Sequence, residues 1–150
     1  MANVDAGVQQ YFAADHRECD AAWAALEAAG DDPAHQGALF RDFEARLLRH
    51  LSMEEEVLFP AIEEATGMRG GPIAVMRHEH EQMRGLLAEM ARRAAGGDFD
   101  GVIDQGDTLL MIIQQHNSKE EGILYPIAER ALASSWPAIA ERLRAYAVPG

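Results

Sequence analysis

Cysteine is nearly absent: the 150-residue chain holds one, Cys19. A single thiol excludes an intramolecular disulfide framework and a cysteine-based zinc site. Long apolar runs are missing too, and none approaches the roughly 18 residues that span a bilayer. The opening stretch MANVDAGVQQ has neither the basic region nor the apolar segment of a signal peptide. Positive charge is scarce, with 13 Lys and Arg against 25 Asp and Glu, for a formal net charge of −12. Such a surface repels phosphate backbones and anionic lipid, so neither nucleic acid nor membrane is expected as a partner. Together these absences point to a reducing cytoplasm. β-branched residues are sparse as well, which argues against a sheet.

What is present is helix-forming residues with clear punctuation. Ala, Leu, Glu, Arg and Met dominate a chain that is 48% hydrophobic. Breaks at GDDP (30–33), TGMRGGP (66–72) and GGDFDG (96–101) divide it into four long helical patterns, and SSWP (134–137) precedes a shorter fifth. Pro33, Pro72 and Pro137 suit first helical turns, where a missing N–H costs nothing. Helices are predicted near 5–29, 33–66, 72–95, 100–132 and 135–146. The fold class is all-α: one domain over 1–150, an up-down-up-down four-helix bundle over about 5–132 with a short C-terminal helix over about 135–146. That last segment is amphipathic and is expected to cover one end of the bundle, with a dimer contact as the alternative. Pro60 and Pro126 fall inside helical patterns and should kink them.

Those two prolines end matching stretches. HLSMEEEVLFP starts at His50 and HNSKEEGILYP at His116; in both, His precedes Glu by four residues and Pro by ten. Upstream of each lies another helix with a histidine, His16 or His80. The offsets are 66 residues for His50 to His116 and 64 for His16 to His80. The chain thus reads as two versions of one helical hairpin. At a rise of about 1.5 Å per residue, each hairpin returns its second histidine to the level of its first. Packing the hairpins together puts four imidazoles in one layer, the arrangement of a metal site. Residues four apart share a helix face, so Glu54 projects beside His50 and Glu120 beside His116, where they could bridge two ions. Glu55 and Glu121, one residue further on, are expected to face solvent.

Each histidine interrupts an apolar stripe. Phe12 and Trp23 flank His16; Phe43, Leu47 and Val57 flank His50; Ile73, Met76, Met83 and Leu87 flank His80. Leu109, Ile112, Ile113 and Ile123 surround His116. A lone histidine in such a stripe is more often a core residue than a ligand; the doubled pattern with paired glutamates is what singles these out. His78, about 200° around the helix from His80, should face away, and His35 should be solvated. Cys19 reads as a small core residue, with a redox-active thiol as the alternative.

The pattern H…HxxxE…H…HxxxE, with an aromatic–proline tail after each HxxxE, resembles the hemerythrin-like (HHE cation-binding) domain family from about Asp15 to Ala131. The resemblance implies two non-haem iron ions, carboxylate- and oxo- or hydroxo-bridged. His16, His50, His80 and His116 would be ligands and Glu54 and Glu120 bridges, with His16 and His50 on one iron and His80 and His116 on the other. It implies a protein that binds or senses dioxygen or a related small ligand such as peroxide or nitric oxide. The alternatives are a di-iron enzyme of oxidative or nitrosative stress defence and an iron-storing or scavenging bundle. A redox partner fits either active role, and no catalytic residue is singled out. Oxygen-carrying members place a second histidine four after the helix-3 ligand, where this chain has Arg84. In this respect it is closer to bacterial members linked to stress, nitric oxide or repair of damaged iron centres, without their cysteine-bearing N-terminal extension. Asp20, the counterpart of Arg84 on the first helix, reads either as an acceptor for a ligand histidine or as a partner of Arg84.

Overall fold

A computed structural model describes residues 2–149. After a short 3-10 turn at Val4–Ala6, the helices are α1 (Val8–Glu27), α2 (Pro33–Met53), α3 (Phe59–Thr66), α4 (Gly71–Ala95), α5 (Phe99–Lys119), α6 (Tyr125–Ala131) and α7 (Trp136–Leu143). α2 runs into α3, and α5 into α6, through five-residue π turns at Glu54–Leu58 and Glu120–Leu124. The result is the expected all-α four-helix bundle, in which α1 packs on α2 and α4 on α5 as two hairpins. No strand occurs among the described residues.

The helix ends follow from local chemistry. Asp32 accepts a hydrogen bond from the Ala34 N–H ahead of Pro33, and Asp98 accepts one from the Gly101 N–H. The first helix begins at Val8, three residues later than predicted, because Gly7, at φ 99°, separates it from the 3-10 turn.

The disruption expected at Pro60 and Pro126 takes the form of the π turns. Proline offers no N–H and crowds the carbonyl four residues back. The backbone widens just ahead of each ring: the Phe59 N–H reaches the Glu54 carbonyl, and the Tyr125 N–H the Glu120 carbonyl. Such wide turns favour functional positions, and here each begins at a candidate ligand.

Two apolar clusters fill the bundle. One gathers Phe12, Met53, Phe59, Met76, Leu124 and Tyr125, capped by Ile139 and Leu143 of α7. The other gathers Trp23, Phe43, Leu47, Met83, Leu87 and Leu109. On α1 and α4 the layer histidine, His16 or His80, falls between residues of one cluster and residues of the other.

One expected neighbour of His116 is not in the core: Ile123 is 56% exposed. Its repeat counterpart Val57 is buried beneath the C-terminal helix. The second half of the chain has only one such helix to share, so Ile123 stays uncovered.

Candidate metal centre

Besides Asp15, the buried polar or charged residues among those described are His16, His50, Glu54, His80, His116 and Glu120, each 4% exposed or less. Burying so many ionisable groups in one layer is costly unless they serve one another or a cation. The structure gathers all six sequence candidates there. His16, His50, Glu54 and Glu120 form one group of four whose donor atoms lie within 4.8 Å of one another, and Glu54, His80, His116 and Glu120 form a second. Both glutamates belong to both groups.

The imidazoles are held from outside. His50 Nδ1–H donates to Asp15 at 2.7 Å, His80 to Glu55 at 2.8 Å, His116 to Glu79 at 2.9 Å and His16 to Glu121 at 2.8 Å. Each bond holds a proton on Nδ1 and turns Nε2 inward, where it is free to bind a metal once unprotonated, as in carboxylate–histidine–metal triads. The two halves of the chain make equivalent contacts. The residue before the first histidine of each hairpin, Asp15 or Glu79, serves the second histidine of the same hairpin. The residue after each bridging candidate, Glu55 or Glu121, serves the first histidine of the other hairpin.

This corrects the expectation that Glu55 and Glu121 face solvent. That expectation assumed α-helical rotation, and the π turns re-aim both side chains. Glu55 is 29% and Glu121 39% exposed, yet each reaches a buried imidazole. The roles of Asp15 and Glu79 also went unread; their adjacency to His16 and His80 was the available signal.

Nor does the sequence pattern single out Tyr125. Fully buried, it donates its hydroxyl hydrogen to Glu54 Oε2 at 2.6 Å, and its oxygen lies 3.0 Å from Glu120 Oε1 and 3.2 Å from His16 Nε2. The chain carries phenylalanine at the repeat position, Phe59, whose ring centroid lies 5.4 Å from that of His80.

Three buried atoms, His50 Nε2, Glu54 Oε1 and Glu120 Oε2, have no hydrogen-bond partner. Nitrogen and carboxylate donors left bare, converging and shared between two groups fit divalent cations well. Without a cation the layer is a proton trap. Burial disfavours the imidazolium of His80, but the close approach of Glu54 Oε1 at 3.1 Å, the hydrogen bond to Glu55 and the charges of Glu54 and Glu120 outweigh it and push its pKa up to about 9. His50 and His116 are raised by the same balance. Burial likewise opposes the charge of Glu54, and its histidine neighbours hold its carboxyl well below the usual range.

The remaining candidates fall outside the layer. His78 and His35 are exposed, as expected. Arg84 does not meet Asp20; it pairs with Glu55 at 3.1 Å and so buttresses the carboxylate that holds His80. Asp20 instead lines a cavity of about 360 Å³ that reaches His16 and Glu121, and burial raises its pKa. Cys19 is buried, and burial pushes its thiol up to about 12, which favours the core reading.

Fold and site define a cation-binding four-helix bundle built on histidine and glutamate. The family model for the hemerythrin HHE cation binding domain matches residues 8–128, and the chain belongs to that family. A curated relative, the iron-sulfur cluster repair protein DnrN of Neisseria gonorrhoeae, is 42% identical over 60 residues. The match takes in 39% of this chain and about 38% of the relative's length. No solved structure matches. Among the described residues, no helix is long and apolar enough to cross a membrane.

Proposed function

We propose that the buried layer holds two iron ions and binds a small ligand of the dioxygen, peroxide or nitric oxide class. His16 and His50 would hold one ion, His80 and His116 the other, and Glu54 and Glu120 would bridge them. The observation that carries this reading is the sharing of both buried glutamates by two four-donor groups with bare inward-facing atoms. Iron would supply reversible one-electron chemistry and a coordination position for the small ligand. The chain's part is to fix the imidazole tautomers, through Asp15, Glu55, Glu79 and Glu121, and to surround the layer with apolar side chains that keep bulk water away. The cavity beside Asp20 and Glu121 provides a route to His16. A physiological compartment with a reducing cytoplasm suits the single buried thiol.

A second reading is supported by the relative's name. The same centre would then serve defence against oxidative or nitrosative damage, including repair of iron–sulfur clusters, and turn over rather than bind reversibly. Iron analysis combined with stopped-flow spectroscopy of the reduced protein tests both. Two irons per chain with a reversible optical change on exposure to dioxygen supports binding or sensing. Irreversible oxidation with peroxide turnover above that of free iron supports the defence reading. Less than one iron per chain after iron-replete expression would overturn both.

A further inference from the structure

The four imidazole–carboxylate contacts repeat between the two halves of the layer, but the aromatic residue ahead of each helix proline does not. Where the first half has Phe59, whose ring packs near His80, the second has Tyr125, whose ring centroid lies 5.7 Å from that of His16. The tyrosine adds one hydroxyl to an otherwise repeated set of donors. It engages Glu54 Oε2 and lies against Glu120 Oε1 and His16 Nε2, all on the His16 side. The carboxylate atoms left bare are Glu54 Oε1, 3.1 Å from His80 Nε2, and Glu120 Oε2, 3.2 Å from His116 Nε2. The third bare atom, His50 Nε2, lies on the His16 side, 3.4 Å from Glu54 Oε1. What separates the two sides is the phenol, which engages both glutamates beside His16 and has no counterpart beside His80.

We propose that Tyr125 makes the two cation positions unequal, so that the His80–His116 position fills first and the His16–His50 position fills second and more weakly. The inference rests on the two-cation reading above. Filling the second position requires the glutamates to turn toward the ion and surrender contacts with the phenol. Breaking a hydrogen bond to a charged group is worth about a tenfold change in affinity. Tyr125 acts here as a positioning residue that sets the order of loading; Phe59, lacking a hydroxyl, imposes no such cost on the first position.

The test is titration of metal-free protein with Co²⁺, followed by its visible absorption and by calorimetry. Wild-type protein should bind two ions in resolved steps. Tyr125→Phe should tighten the second step about tenfold and merge it with the first. Phe59→Tyr should weaken the first step by a similar factor. His116→Ala should abolish the tight step, and His50→Ala the weak one. Two equal steps in the wild type, or a second step unchanged in Tyr125→Phe, would overturn the proposal while leaving two-cation binding intact. Weakening of that step in Tyr125→Phe would also overturn it, since the phenol oxygen would then be a donor to the ion. Binding of a single Co²⁺ by the wild type would instead remove the two-cation reading itself.

Discussion

Asp15 stands next to His16 in the chain, but its carboxylate serves His50 on the neighbouring helix, 2.7 Å from Nδ1. The same carboxylate takes a second hydrogen bond from Arg49 at 3.2 Å. Adjacent residues on a helix point about 100° apart. A histidine aimed at the bundle axis therefore turns its preceding neighbour toward the next helix, and the hairpin brings His50 there. Glu79 and His116 repeat the arrangement, with Lys119 in the supporting role.

Loss of that support should weaken metal binding without unfolding the bundle. Asp15→Asn is expected to lower metal affinity on the order of 10–100-fold, the usual cost of removing a histidine's outer partner. Glu121→Gln should cost less, since water can replace an acceptor that is 39% exposed. Competitive titration against a chelator measures both, with circular dichroism as the control. Equal affinities for wild type and Asp15→Asn would remove the orienting role.

The metal-free protein should show a distinctive pH dependence. His50, His80 and His116 are raised above 6.5, His80 to about 9, so between those values the folded state binds more protons than the unfolded chain. Their contribution to stability is full below 6.5 and is lost as pH rises through about 9. Glu54, Glu55 and Glu79 lie below 4.5 and Asp15 below 3.8, and their contribution is present above those values and lost as pH falls. Thermal melts should therefore give the highest Tm between about pH 4.5 and 6.5, declining toward 9. Metal, which needs unprotonated Nε2, should bind more tightly as pH rises across that decline and offset it. A metal-free Tm that is flat from pH 6 to 9 would contradict the pairing of imidazolium with carboxylate.

Gly106 on α5 is where the Trp23 indole enters the core. A Cβ built there would sit 2.0 Å from Trp23 Cη2, closer than any real contact. Gly106→Ala should destabilise the protein by about 1–3 kcal/mol through overpacking, despite alanine's better helix propensity. Denaturant unfolding gives the value, and Trp23→Phe in the Gly106→Ala background should recover part of the loss by removing the outer ring. An unchanged or raised stability in Gly106→Ala would show that the indole can move aside.

Cys19 should be chemically silent. A thiol buried to 5% exposure and raised to about 12 presents almost no thiolate at neutral pH. Ellman's reagent should label it on the timescale of unfolding and not before. Rapid labelling of native protein would revive a redox role for this residue.

Much of this molecule was legible in the chain itself. Four helical patterns and their breaks follow from periodicity and from glycine and proline placement. The repeated HxxxE motif with its matched spacing was enough to collect His16, His50, His80, His116, Glu54 and Glu120, because separations along a helix translate directly into height and face. Tertiary structure decided what surrounds those six. Which carboxylate holds which imidazole depends on lateral packing between helices, which no single-helix periodicity encodes. The π turns ahead of Pro60 and Pro126 altered the rotation on which the exposure of Glu55 and Glu121 had been judged. Tyr125 and Phe59 look interchangeable as aromatic residues before a proline; only the packed bundle, by setting one hydroxyl between two buried carboxylates, distinguishes them.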